Sequence, residues 1–166
     1  MSLGIKRTRP IRVAAAKFEG KPDDVPGEFE KLYAWARRLG LRTGDRDSSG
    51  RMNLPWTACF HDKETTAPDA ARAIDVWIPL DGAGPTQGEF SVIDVNHENV
   101  AFMIHKGPMS RFEESVQQLF TWAKSKQLQF RERDHRRIYL RGIDTHPEDP
   151  DWEAEIQIPL TASRSS

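Results

Sequence analysis

The chain has a single cysteine, Cys59, among 166 residues, which excludes an internal disulfide and fits a reducing compartment. It has no long apolar run, and Met1 to Pro10 carries basic residues without the apolar core of a signal peptide. The expectation is a cytoplasmic protein that is neither secreted by a leader nor membrane-spanning. An excess of either charge is also missing, since 30% of residues are charged yet the formal net charge is −1. That balance gives no bulk attraction to nucleic acid or anionic lipid, so direct nucleic-acid binding is not expected. The richest basic run, Arg131 to Arg141, is broken by Glu132, Asp134 and apolar positions, as on a solvated strand edge. Metal-ligand spacing is absent too. The histidines, His61, His97, His105, His135 and His146, include no His-Glu-x-x-His pattern, so no metal and no cofactor are expected. No Gly-x-Ser-x-Gly or phosphate-binding loop is present, and the glycines from Gly82 to Gly88 have the wrong spacing for a dinucleotide fingerprint. Cys59 has no lysine or arginine within two positions, so it is not read as a reactive thiol.

What the chain does have is a repeat. Val13 to Gly20 (VAAAKFEG) returns as Val100 to Gly107 (VAFMIHKG), and Leu32 to Ala36 as Leu119 to Ala123, both at one offset (100 − 13 = 87 and 119 − 32 = 87). Asp75 to Leu80 returns as Glu155 to Leu160 at a second offset (155 − 75 = 80), so one length change separates the copies, and the loop Arg42 to Pro55 is assigned to hold it. A duplicated unit implies an approximate two-fold axis, and a cleft along that axis is where function is sought.

Periodicity fills in each copy. Ile11 to Phe18 reads as a strand, and Pro26 to Leu41 as a helix with Phe29, Leu32, Tyr33, Ala36 and Leu39 on one stripe. Trp56 to His61 and Ala73 to Leu80 read as strands joined by a turn containing Pro68-Asp69, and Thr43 to Gly50 as an exposed mobile loop. The second copy runs through Phe90 to Ile104, broken near Asn96, then a helix with the stripe Phe112, Val116, Leu119, Phe120 and Ala123, then Ile138 to Gly142 and Trp152 to Leu160. Ser110 with Glu113 three residues on predicts a capping box at that helix start. Trp35 and Trp122 fall at the edge of the helical stripes and read as core or core-edge.

The predicted fold is α+β, two pseudo-symmetric β-α-β-β repeats in an antiparallel sheet with both helices on one face. A single domain covers 11–160 (repeat one 11–80, linker 81–89, repeat two 90–160), with flexible tails at 1–10 and 161–166. Strand alternation then sorts the faces. Ala154, Ile156 and Ile158 point toward the helices, as do Val76, Ile78, Ala58, Phe60, Ile138 and Leu140. Cys59, His61, Asp75, Trp77, Tyr139, Arg141, Glu155 and Gln157 collect on the other face. Aromatics and carboxylates at repeat-related positions are not the Lys, Thr and Ser of a merely solvated face.

At these residues the chain resembles the GyrI-like small-molecule-binding family, which takes in DNA gyrase inhibitors, effector-binding domains of multidrug-sensing regulators and stand-alone relatives. The resemblance lies in the run from Val100 to Pro108, the helix ending in Leu119-Phe120-Thr121-Trp122, Tyr139, and Glu155 to Leu160, and it covers most of Ile11 to Leu160. It implies a pseudo-symmetric ligand groove in which a last-strand glutamate and aromatic walls take planar, hydrophobic, cationic compounds. Glu155 matches that glutamate and Tyr139 one of the aromatic positions. Some relatives hydrolyse cyclopropane-bearing DNA alkylators with the glutamate and nearby aromatics, so Glu155, helped by Tyr139, would be the general base if the chain is an enzyme. The haem-binding SOUL proteins are similar in fold. No helix-turn-helix precedes Ile11, so a ligand-binding domain, rather than a complete DNA-binding regulator, is expected.

The ligand-binding candidates are Glu155 as polar anchor, Tyr139, Trp77 and Trp56 as walls, and Asp75, Met103 and Gln157 beside them. Glu155 also has a plainer reading as a solvated residue or an ion-pair partner of Arg141; Asp75 has one as a structural or solvated residue. His105, at a strand end before Gly107-Pro108, reads as a histidine bonded to backbone, with a metal or haem ligand as the sharper alternative. The small-molecule binder leads. The hydrolase is second, and contact with DNA gyrase or a regulator is a third option that no exposed interaction helix favours.

Overall fold

A computed structural model describes residues 3–21, 24–43, 56–61, 72–131, 134–141, 148 and 150–161. Residues 44–50 of the expected mobile loop, the Pro68-Asp69 turn and most of the 42–55 segment lie outside the described residues, as do residues 162–166 of the C-terminal tail. The described elements are β1 (Leu3–Arg7), β2 (Ile11–Gly20), α1 (Val25–Arg38), β3 (Arg42–Thr43), β4 (Trp56–His61), β5 (Arg72–Asp81), β6 (Phe90–Val95), β7 (Asn99–Lys106), α2 (Phe112–Ser125), β8 (His135–Arg141) and β9 (Glu153–Pro159). The fold is α+β, and within each unit the strands pair antiparallel. Two compact units divide the chain, one of residues 10–96 and one of 1–9 with 97–166.

In the first unit the strand order is β4-β5-β2-β6, with β3 pairing the end of β5. The short Ala14, Ala16 and Val76 of β2 and β5 let α1 lie close, and its stripe Val25, Phe29, Leu32 and Ala36 is buried. Phe29 and Tyr33 of α1 stack against Trp56 of β4, with ring centroids 5.1 and 5.9 Å apart. In the second unit the order is β1-β7-β9-β8. Ala101, Met103, Ile156 and Ile158 meet Val116, Leu119, Phe120 and Ala123 of α2 in one core cluster, with Trp122 partly buried against it. Apolar side chains on alternate strand positions and at helical spacing thus bury one face of each sheet, the dominant favourable term in folding.

Edge pairing departs from the expected β-α-β-β boundaries. Leu3–Arg7 was expected to be a tail, and it is instead a strand beside β7, because Leu3 and Ile5 alternate with Gly4 and Lys6. The apolar run from Phe90 breaks at 96–98, and β6 pairs with β2 of the first unit. The two arrangements repeat each other. Leu3 pairs with Met103, and shifting by the repeat (3 + 87 = 90, 103 − 87 = 16) gives Phe90 and Ala16, which also pair.

The capping box does not form. A 3₁₀ turn at Met109–Arg111 leads into α2, no side-chain cap is made, and the Ser110 hydroxyl donates to Glu148 instead. The 3₁₀ turn satisfies the leading N–H groups through backbone, as with Arg111 N–H to the Pro108 carbonyl, so the cap hydroxyl is not needed.

Candidate functional site

The non-helix face of the second unit is built on β9. Between β7 and β8, Glu155 is flanked by Ile104 and Ile138, and Gln157 by Phe102 and Arg136. These neighbours keep the Glu155 side chain only 13% exposed although it points away from α2. Its carboxylate is fully engaged. The Lys6 ammonium, carried by β1, lies 2.7 Å from Oε2, and the Gln157 side-chain amide donates to the same oxygen at 2.6 Å. Lys6 also donates to Oε1 at 2.8 Å. The same ammonium stands 4.7 Å from the centre of the Phe102 ring. Gly4, opposite Phe102, makes room for that ring, since a Cβ there would come within 3.1 Å of it. A carboxylate, an amide and an aromatic face thus surround one positive charge, the combination that binds organic cations.

Lys6, Phe102 and Gly4 escaped the sequence reading. Phe102 was reachable by parity, because it lies opposite Gln157, whereas Lys6 needed the pairing of a segment read as tail. Glu155 forms an ion pair with Lys6; the alternative reading of Arg141 as its partner falls on a side chain outside the described ones.

The matching face of the first unit carries Asp75 and Trp77 on β5. Asp75 accepts from, or ion-pairs with, His61 Nε2 at 3.1 Å, and Trp77 lies between Ala15 and Thr57. A cavity of about 520 Å³ opens beside Lys17, Glu19, His61 and Asp75.

Three expected ligand contacts are corrected. Tyr139 is 1% exposed and packs on the α2 side, its ring 6.3 Å from Phe112 and 5.9 Å from Trp152. The physical reason is a β-bulge at Leu140. Tyr139 pairs with Ala154 and Arg141 with Glu153, so two residues of β8 oppose one step of β9. Past the bulge the repeat offset is 80 (141 − 61), but before it the offset is 79 (139 − 60), so Tyr139 corresponds to the core residue Phe60 and Ile138 to Cys59. One inserted residue flips every side chain before it. Ile138 and Leu140, expected in the core, are accordingly partly exposed and exposed. Trp56, 2% exposed, shares the face of Ala58 and Phe60 and stacks on α1. Met103 pairs with Ile156 and belongs to the core under α2. Tyr139, Trp56 and Met103 are therefore structural, and a catalytic role for Tyr139 beside Glu155 is lost.

His105 is 3% exposed, and its tautomer follows from its neighbours. Nε2 lies 3.1 and 3.3 Å from the carbonyls of Gly107 and Pro108 and must donate, so Nδ1 accepts the Ser115 hydroxyl at 2.7 Å. Both nitrogens are engaged, which fits the backbone-bonded reading and leaves no lone pair for a metal or haem. Among the described residues no three His, Cys, Asp or Glu side chains cluster as metal ligands. Burial lowers the His105 pKa from its ordinary 6.5; the two carbonyls and Glu114 oppose that shift and Arg137 adds to it. The imidazole is neutral in the fold, while the unfolded chain takes up a proton below about 6.5. Stability should therefore fall as pH drops from about 6.5 toward the lower folded value. In urea titrations the advantage of wild type over His105→Asn is expected to shrink between about pH 7 and 5; an advantage independent of pH would contradict it.

The chain belongs to the GyrI-like small molecule binding domain family, whose match covers residues 1–161 and so includes β1. Among solved structures it is similar to the C-terminal domain of EcmrR, at 16% identity and a TM-score of 0.79, covering 98% of each chain. It is also similar to a hydrolase from Listeria innocua (13% identity, TM-score 0.65, 96% of this chain and 92% of that one). A third is SAV2435 bound to tetraphenylphosphonium (12% identity, TM-score 0.57, 98% and 95%). At such identities these likenesses show the fold. No curated protein is significantly similar in sequence. Among the described residues no helix is long and apolar enough to cross a membrane.

Proposed function

We propose that the chain binds hydrophobic organic cations on the non-helix face of its second unit, with Glu155 as the charged anchor, Gln157 as its orienting neighbour and Phe102 as the aromatic wall. The observation that carries this reading is the largely buried Glu155 carboxylate, held by Gln157 beside an aromatic ring. Burying a carboxylate is costly unless a positive charge compensates it, so the site favours cationic ligands. A cation of the tetraphenylphosphonium kind, which a protein of this fold binds, has the charge and apolar body the face calls for.

Titration calorimetry with tetraphenylphosphonium, against the neutral triphenylphosphine oxide as control, tests the reading. Saturable binding of the cation with weaker binding of the oxide is expected. Equal affinity for both would defeat it.

The hydrolytic reading is ranked second. A general base must take a proton from water, and both oxygens of Glu155 are engaged by Lys6 and Gln157. Incubation with a cyclopropane-bearing alkylator in large excess separates the two readings. Binding alone consumes at most one molecule per chain, whereas a hydrolase turns over many.

A further inference from the structure

We infer that Lys6 is a built-in competitor at this site, and that it restricts the site to lipophilic cations. The inference rests on the reading of Glu155 as anchor and deepens it. Lys6 Nζ already holds the position a ligand's charge would take, 2.7 Å from the carboxylate and 4.7 Å from the Phe102 ring centre. Glu155 and Lys6 together carry no net charge, so a cation that enters must displace one ammonium to place another. For a small hydrophilic cation that exchange replaces like with like, and the ligand pays its own desolvation besides. A ligand gains only if it also brings apolar surface, which the Lys6 ammonium does not supply.

The geometry permits the exchange. Lys6 sits on β1, whose far side is not paired with any other described strand, and its side chain is 41% exposed, so the ammonium can swing to water while the strand stays paired through its backbone. Lysine suits this role because its charge rides on a flexible four-carbon stem. The Lys6 end of the pair is open to solvent, which screens the attraction and keeps displacement within a ligand's reach. Glu155, by contrast, is held at 13% exposure by strands on both sides and stays in place. The mobile partner is the cation and the fixed partner is the anion.

The variants are chosen to step the site charge. Wild type is neutral, Lys6→Met is −1, Glu155→Gln is +1, and the double variant is neutral again. Lys6→Met keeps the apolar stem over Phe102, and Lys6→Gln serves as a second substitution should methionine disturb the edge strand. Thermal melting checks that each variant folds. By calorimetry the phosphonium probe should bind Lys6→Met roughly ten-fold more tightly than wild type, with tetramethylammonium binding becoming measurable. The neutral phosphine oxide should change little. Adding Glu155→Gln to Lys6→Met should remove the gain.

Lys6→Met and Lys6→Gln that fold and bind the phosphonium no better than wild type would overturn the competitor role, even where Glu155→Gln weakens binding and so upholds the anchor. A gain that persists in the double variant would overturn it as well. If neither wild type nor Lys6→Met binds the cation, both the anchor and the competitor fail together.

Discussion

Glu155→Gln should weaken binding of a hydrophobic cation by about ten- to a hundred-fold, or roughly 1.4–2.8 kcal/mol. The substitution preserves shape while removing the charge, and it turns one of the two accepting oxygens into an N–H donor. It has a second consequence, because Lys6 keeps its own charge beside the altered site and now repels the ligand. The two effects add, which is why the loss should exceed the value of one exposed ion pair. Binding of a neutral isostere should change little. Tyr139→Phe gives the contrast. Its ring lies among Phe112 and Trp152 on the other side of the sheet, so cation affinity should stay within about two-fold. Loss of binding in Tyr139→Phe with retention in Glu155→Gln would reverse the assignment of the face.

Phe112→Ala should destabilise the chain by about 3–5 kcal/mol. Phe112 opens α2 and is fully buried, with His105 edge-on at 4.3 Å, Trp152 at 6.0 Å and Tyr139 at 6.3 Å between ring centres. The Arg137 guanidinium lies 5.4 Å from the same ring and pairs with Glu113 at 2.9 Å. Truncation removes the partner of three rings and one buried cation, and the surrounding strands can close the gap only in part. Against a total of about 5–15 kcal/mol such a loss is large. It would appear as a lower urea midpoint with little change in slope. A cost below about 1 kcal/mol would mean that this cluster is not the packed centre of the unit. Phe112→Leu, which refills much of the volume, should cost distinctly less.

Much of this fold was legible because the chain repeats itself. The shared offset of 87 located β2 and β7 and both helices, and alternation in β9 placed Ala154, Ile156 and Ile158 in the core with Glu155 and Gln157 opposite, as observed. Two features were not legible for physical reasons. A β-bulge leaves no mark in hydrophobic patterning when the residues around it, Ile138, Tyr139 and Leu140, can each face either way. Carrying one offset through Leu140 therefore turned Tyr139 outward and Ile138 inward. An edge strand of five residues is also weakly encoded, since Leu3 and Ile5 are too few to stand out from a tail. Missing β1 meant missing Lys6, and with it the internal partner of Glu155.

The corrected register also changes how the copies compare. On the second unit's face the aromatic ring is Phe102 on β7, opposite the polar Gln157 of β9. On the first unit's face the positions are reversed in size, with Ala15 on β2 opposite Trp77 on β5. The equivalent of Lys6 is Ile93 (6 + 87 = 93), paired with Val13. Among the described residues, only the second unit joins carboxylate, amide, ring and ammonium. The duplication supplies the frame twice, and the proposed cation site belongs to one copy.

The side-chain amide of Gln157 is the most direct reporter of that site, because its N–H donates to Glu155 at 2.6 Å. Titrating the phosphonium probe into ¹⁵N-labelled protein and following this amide by NMR should give a saturable shift with the same Kd as calorimetry. Shifts confined to Asp75, Trp77 and His61 of the first unit, with Gln157 unmoved at saturation, would contradict the account.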